Sequence, residues 1–167
     1  SGLKSEYIDK VIVSSDDDEI LSISKKYKSN TIVRPLELAS DTATTFDTIK
    51  HVIDNTKKYD YIVLLQPTSP LRNEEHIDEA IKLLGLKNSD AVVSVCETDH
   101  SPLWSNILDS SLSMSGFLRD DILGKRSQDL DKHYRLNGAI YICKTEKLLK
   151  EKSFFLKKNI FAYKMDR

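Results

Sequence analysis

Val11-Ile12-Val13-Ser14-Ser15 is an apolar, β-branched run that gives way at once to Asp16-Asp17-Asp18-Glu19. A strand handing over to a helix reads this way, because carboxylates in the first turn are favoured by the helix dipole and its free N–H groups. Ile20, Leu21, Ile23 and Tyr27 then fall at helical spacing. Ile32-Val33 predicts a short strand, which Arg34-Pro35 breaks, since proline has no N–H to give. Phe46, Ile49 and Ile53 mark a second helix that starts in the polar segment Ser40-Asp41-Thr42-Ala43-Thr44-Thr45. Tyr61-Ile62-Val63-Leu64-Leu65 is apolar throughout, as strands covered on both faces are, and predicts a strand in the middle of a parallel sheet. It stops in Gln66-Pro67-Thr68-Ser69-Pro70-Leu71-Arg72. Ile77, Ala80, Ile81 and Leu84 give a third helix, and Ala91-Val92-Val93-Ser94-Val95-Cys96 a further buried strand.

From Thr98 to Tyr134 the periodicity dissolves. Leu103, Trp104, Ile107, Leu112, Phe117 and Leu118 stand isolated in a polar stretch, which reads as an arm, a lid or a docking surface. Order returns in the strand Asn137-Gly138-Ala139-Ile140-Tyr141-Ile142-Cys143, a short helix near Glu146 to Lys150 and a strand-like run from Ile160 to Met165. Alternating strands and helices predict an α/β, doubly wound sheet in one domain spanning 1–167. Its ligand site is expected outside the carboxyl ends of the strands, at Ser14 to Asp17, Arg34, Gln66 and Glu97.

Composition narrows the function classes. A chain of 167 residues can bury one real core. Its 25 basic and 26 acidic side chains give a net charge of -1, so no bulk field draws in nucleic acid or an anionic membrane. No apolar run approaches the roughly 20 residues of a membrane span, and none reads as a signal peptide. A soluble, cytoplasmic protein is expected, with Cys96 and Cys143 as reduced, buried thiols. Any anionic ligand must then be held by a few placed residues.

Four polar clusters sit at predicted strand ends. Arg34-Pro35 before Ser40-Asp41-Thr42 is a turn with a helix cap, and it could also hold a phosphate through the guanidinium fork and free N–H groups. Gln66, directly after a buried strand, offers a donor and an acceptor to a polar ligand. Arg126, Gln128, Asp129 and Arg135 are either ordinary solvated charge or the rim of a site. Asn137-Gly138 is either a turn or a place where a ligand approaches the backbone closely. His51, His76, His100 and His133 show no i, i+4 pair, so neither zinc nor Cys-His catalysis is supported. The common glycine-rich phosphate loops are not in the sequence, and Asp16 to Glu19 read better as a helix cap than as a metal cluster.

Together these segments resemble the acylneuraminate cytidylyltransferases, or CMP-sialic acid synthetases, and their relatives acting on legionaminic or pseudaminic acid. The resemblance rests on Val11-Ile12-Val13-Ser14-Ser15-Asp16, Arg34-Pro35-x-x-Leu38-Ala39-x-Asp41-x-Ala43, Leu65-Gln66-Pro67-Thr68-Ser69-Pro70-Leu71-Arg72, Arg126-x-Gln128-Asp129-Leu130 and Tyr134-Arg135-x-Asn137-Gly138-Ala139-Ile140-Tyr141, all in family order. It implies a Rossmann-like nucleotidyltransferase fold and attack of the anomeric hydroxyl of a nonulosonic acid on the α-phosphate of CTP, releasing pyrophosphate. By the same resemblance Arg34, Ala43 and Thr45 contact the nucleotide. Gln66, Gln128, Arg135, Asn137 and the pair Phe154-Phe155 line the sugar site, and Arg126 matches the family's active-site arginine. The stretch 98–134 matches a dimerisation arm that lends residues to the partner's site, so a homodimer is implied.

Two family features fall outside the sequence. The family's glycine- and lysine-rich phosphate loop precedes the first motif, and its Asp-x-Asp motif, where Mg2+ ligands are expected, lies beyond the last strand. The expectation is a cytidylyltransferase domain lacking both segments, with unpaired backbone where the family's first strand would run. The alternative is a catalytically inactive nucleotide- or partner-binding domain of the same fold.

Overall fold

The computed structural model describes residues 1–166. Its regular elements follow the predicted alternation: β1 (Ile12–Ser15), α1 (Asp18–Lys26), β2 (Asn30–Val33), α2 (Thr45–Asp54), β3 (Tyr61–Leu64), α3 (Glu74–Leu86), β4 (Ala91–Glu97), β5 (Tyr134–Lys144), α4 (Thr145–Glu151) and β6 (Ile160–Lys164). The helix starts are set by local chemistry. Asp17 caps α1 by accepting the N–H groups of Glu19 and Ile20 at 2.8 and 2.9 Å, so part of the acidic quartet serves the helix end. Thr44 caps α2 through the Asp47 N–H, and Asn73 and His76 cap α3 reciprocally.

β3, β5, β4 and β6 form one sheet in that order. β4 and β6 are parallel, and β5 runs antiparallel to both its neighbours, so β3, β4 and β6 share one direction. The chain is thus α/β with mostly parallel strand directions, and helices cover both faces of this sheet. One face packs Val92, Ile140 and Ile142 under Ile77, Ala80 and Leu84 of α3. The other packs Ala91 and Cys143 against Ile49 of α2, Leu148 of α4, and Phe154 and Leu156. Neighbours Ala91/Val92 and Ile142/Cys143 go to opposite faces, the period-2 alternation of a strand buried on both sides. Both cysteines are buried and unpaired.

Two positions differ from the expectation. Tyr61–Leu64 lies at the edge of its sheet, half-buried, because β5 and β4 take the middle. β1 and β2 form a separate parallel pair, and α1 buries Leu21 on it while Ile20, Ile23 and Tyr27 remain exposed. A two-stranded sheet is too narrow to cover the whole apolar side of a helix. One flank of β1 and one flank of β3 therefore carry no strand partner among the described residues.

Between β4 and β5 the chain makes only short 3-10 turns at Pro102–Trp104 and Ser127–Asp129. Ile122 tucks into the protein, whereas Ile107, Leu112 and Met114 are 92%, 71% and 61% exposed.

Candidate functional site

Beyond Leu64 the β3–β5 ladder stops. In the register that pairs Tyr61 with Lys144 and Leu64 with Tyr141, Gln66 would stand opposite Ala139 and Pro67 opposite Gly138. Pro67 has no N–H to offer, and Gly138 turns the backbone with φ at +72°. The strands part, and the Arg72 guanidinium enters the gap. Its Nη1 donates to the carbonyls of Gln66 at 3.0 Å and Ala139 at 2.8 Å. Partial burial pushes the Arg72 pKa down, since the half-buried charge loses part of its hydration and hydrogen-bonds to neutral carbonyls. A Cβ on Gly138 would lie 2.9 Å from Gln66 Oε1, so the Gln66 carboxamide occupies room that only glycine leaves.

A cavity of about 540 Å3 opens where the strands part. One wall is the N-terminus of α2, from Thr44 to Asp47, and the floor is Leu64, Gln66 and Tyr141. The opposite wall is the segment after α4, where Lys152 takes a left-handed conformation (φ +52°) that ends the helix and turns Ser153, Phe154 and Phe155 back over β5. Tyr141 meets Phe154 at 5.7 Å and Phe155 edge-on at 6.2 Å between ring centroids. Phe154 is buried and shared with the core, whereas Phe155 is 51% exposed. The cavity so combines an aromatic wall, a carboxamide with donor and acceptor, and the first turn of a helix, in a volume suited to a small polar ligand.

Four of the sequence-derived candidates, Thr45, Gln66, Phe154 and Phe155, line this cavity. Asn137 is outside the lining, its amide already engaged: Oδ1 accepts from Ser94 Oγ at 2.6 Å and from the Ala139 N–H at 3.2 Å, and Nδ2 faces Met165 Sδ at 3.3 Å. Arg34 folds across the end of β1 and donates to Ser14 through Nε and Nη2. Ala43 is half-buried in the turn before α2, its N–H given to Ser40 O. Arg135 is exposed at the start of β5, opposite Cys96. Arg126 and Gln128 lie on the exposed arm outside the cavity lining, Arg126 pairing with Asp129 at 3.0 Å. The sequence offers Tyr141 only as the last residue of a motif, and gives no sign of Lys152 or Ser153 at a site. The alternation along β5 assigns Tyr141 to the same face as Cys143, but nothing in the spacing reveals that the chain after α4 folds back.

A second, smaller cavity of about 290 Å3 lies at the carboxyl ends of β4 and β6, between Glu97, Tyr134, Lys164 and Asp166. Glu97 pairs there with Lys132 at 3.0 Å, and Lys164 Nζ stacks 4.5 Å above the Tyr134 ring. Among the described residues no group of three or more His, Cys, Asp or Glu is placed to hold a metal ion.

Residues 2–161 match the family model described as Cytidylyltransferase. The chain belongs to the cytidylyltransferase family. It is 36% identical over 168 residues to the N-acylneuraminate cytidylyltransferase of Escherichia coli O18:K1:H7 (strain RS218 / NMEC), a match covering all of this chain and 39% of that relative. It is 30% identical over 169 residues to the CMP-N,N'-diacetyllegionaminic acid synthase of Legionella pneumophila, covering 93% of this chain and 68% of that one. Among solved structures, a CMP:2-keto-3-deoxy-manno-octonic acid synthetase complexed with CTP superposes with a TM-score of 0.69 at 13% identity, covering 99% of this chain and 76% of that one, which shows a shared fold. The chain spans 37 to 39% of the length of the N-acylneuraminate cytidylyltransferases from Escherichia coli and Streptococcus agalactiae that it matches. No helix among the described residues is long and apolar enough to cross a membrane.

Proposed function

We propose that this cytidylyltransferase chain is the part of a synthetase that transfers CMP from CTP to a sialic-type nonulosonic acid. The observation that carries the reading is the cavity at the end of β3, which Gln66 lines together with the aromatic residues Tyr141, Phe154 and Phe155. A nine-carbon acyl sugar presents hydroxyls and an acyl methyl, and the wall suits the second as the carboxamide suits the first. In the step, the anomeric hydroxyl gives up its proton to water as its oxygen forms a bond to the α-phosphorus of CTP, the bond from that phosphorus to the oxygen bridging to the β-phosphate breaks, and pyrophosphate leaves. Such chemistry depends on positioning and charge neutralisation, and needs no covalent enzyme intermediate. The N-terminus of α2, with Thr45 at the cavity and Arg34 and Ala43 nearby in the chain, is the proposed nucleotide side.

The arm 98–134 is proposed to pack on a second copy of the chain, which would cover exposed residues such as Ile107 and Leu112 and carry Arg126 and Gln128 to the partner's site. Arg135 and Asn137 belong to the near side of that site. Mg2+ and a cytoplasmic setting are proposed on the family resemblance. The described residues offer no cluster of three or more His, Cys, Asp or Glu side chains to hold the ion. The open flanks of β1 and β3 support the expectation of a further strand from the family's N-terminal phosphate-loop segment.

The test is pyrophosphate release from CTP on addition of N-acetylneuraminate or another nonulosonic acid. Release that depends on the acid is expected, and equal turnover with an aldose 1-phosphate overturns the reading.

A further inference from the structure

We infer that Arg72 is a positioning residue that wedges β3 away from β5 and thereby sets the Gln66 carboxamide at the cavity floor. The inference rests on the reading of this cavity as the sugar site. In a continued antiparallel ladder, Gln66 and Ala139 would face each other and be joined by N–H to C=O bonds. Instead both carbonyls accept from one nitrogen, Nη1 of Arg72. The wedge is part of a closed local unit: the Arg72 N–H reaches Ser69 O, the Ser69 N–H reaches Gln66 O, and Ser69 Oγ donates to Asn137 O.

A cation is a costly choice for this task. Arg72 Nε is buried without a hydrogen-bond partner, and no carboxylate stands within ion-pair distance of the guanidinium among the described residues. A loop needing only a turn could be built without a half-buried charge. What Arg72 adds is one terminal nitrogen whose two N–H groups reach carbonyls on different strands and hold them apart. The separation is what leaves the Gln66 side chain in the space beside Gly138, where a Cβ would come within 2.9 Å of Oε1. Arg72 and Gly138 therefore act on the same group from two sides, one by its donor and the other by its missing side chain.

The experiment compares the protein with its R72M, R72K, G138A and R72M/G138A variants, reading KM for N-acetylneuraminate, KM for CTP, kcat and thermal unfolding. R72M is expected to raise the sugar KM about tenfold or more while the CTP KM stays within about twofold. R72K, which keeps a charge and three N–H donors on a shorter, non-planar head, recovers part of the loss. G138A shows the same split, and the double variant is no worse than the poorer single one within about twofold, because both act through Gln66. Equal rises in both KM values, or multiplicative losses in the double variant, overturn the inference, as does a lower melting temperature with unchanged KM values. A crystal structure of R72K, the variant best able to fold, and of R72M separates this inference from the functional reading. A Gln66 carboxamide still seated beside Gly138 in R72M sinks the wedge whatever the substrate. Displacement of that carboxamide in a protein inactive with every nonulosonic acid would retain the wedge and discard only the proposed sugar.

Discussion

Ser94 Oγ donates to Asn137 Oδ1 at 2.6 Å while accepting the Ile140 N–H at 2.8 Å. One fully buried hydroxyl thus ties β4 to β5 where their register shifts between Val93 and Val95. The Ala139 N–H turns to the same Asn137 oxygen, which fixes the amide with its nitrogen on the Met165 side. Replacing Ser94 with Ala removes the donor to Asn137 and the acceptor for Ile140 inside the core. A loss of about 1–3 kcal/mol is expected, read as a lower urea midpoint with an unchanged slope. A loss of a few tenths would show that water or a rearranged Asn137 replaces the hydroxyl.

Gln66→Ala should weaken sugar use far more than CTP use. Gln66 lines the cavity floor with its carboxamide oxygen beside Gly138, whereas the proposed nucleotide side is built from the N-terminus of α2. Steady-state KM values for both substrates check this, and equal losses would mean the two sides are wrongly assigned.

Arg126→Ala should lower turnover by about 10- to 1000-fold, the range for removing a donor aimed at developing charge. Arg126 is exposed on the arm and absent from the cavity of its own chain, so, with the arm packed on a second copy as proposed, the effect should complement between subunits. Mixing R126A with Q66A protein and allowing exchange should restore about a quarter of the wild-type sites, since one site of each mixed dimer is intact. No recovery on mixing, with both variants folded and exchange verified, would place Arg126 on its own chain's site or on neither.

Cys143 should resist alkylation until the protein unfolds. Burial pushes its thiol up to about 11, with the nearby Asp90 carboxylate acting in the same direction. The unfolded thiol, near 9.0, loses its proton first as pH rises, so the folded state is favoured fully below 9 and loses that advantage between 9 and about 11. Iodoacetamide labelling across pH 7 to 9, with and without urea, provides the check. Rapid native-state labelling of Cys143 would contradict its placement under Leu148 and Phe154.

Asp90 is held below the usual carboxylate range, first by its hydrogen bond with Lys144, which reaches Oδ1 at 2.7 Å. The stability this supplies is present above the ordinary carboxylate pKa and is lost as pH falls through the lowered folded value. Asp90→Asn should flatten that acid limb of a pH-stability curve while costing about 0.5–1 kcal/mol at neutral pH. An unchanged acid limb would mean the pair contributes nothing.

Much of the fold is legible in the chain because the signals are local. The strand-to-helix change after Ser15, the proline stop after Gln66 and the buried run Ala91 to Cys96 each depend on neighbours within a few residues. The direction of β5 is not local. Asn137 to Cys143 alternates in the same way whether it lies parallel or antiparallel, so only the finished sheet shows that it runs against β3 and β4. The edge position of β3 is hidden for the same reason.

For the site, the sequence by itself determined the chemistry at the strand ends: Gln66 after a buried strand, a hydroxyl-rich helix start before Thr45, and Asn137 ahead of a glycine. These follow from residue type and chain order. Only the tertiary structure decided that Lys152 to Phe155 return over Tyr141, that Asn137 is consumed by Ser94, and that Arg72 fills the gap between Gln66 and Ala139. Each of these joins residues more than ten positions apart, or sets how two backbones diverge, and no pattern along a single chain carries that distance.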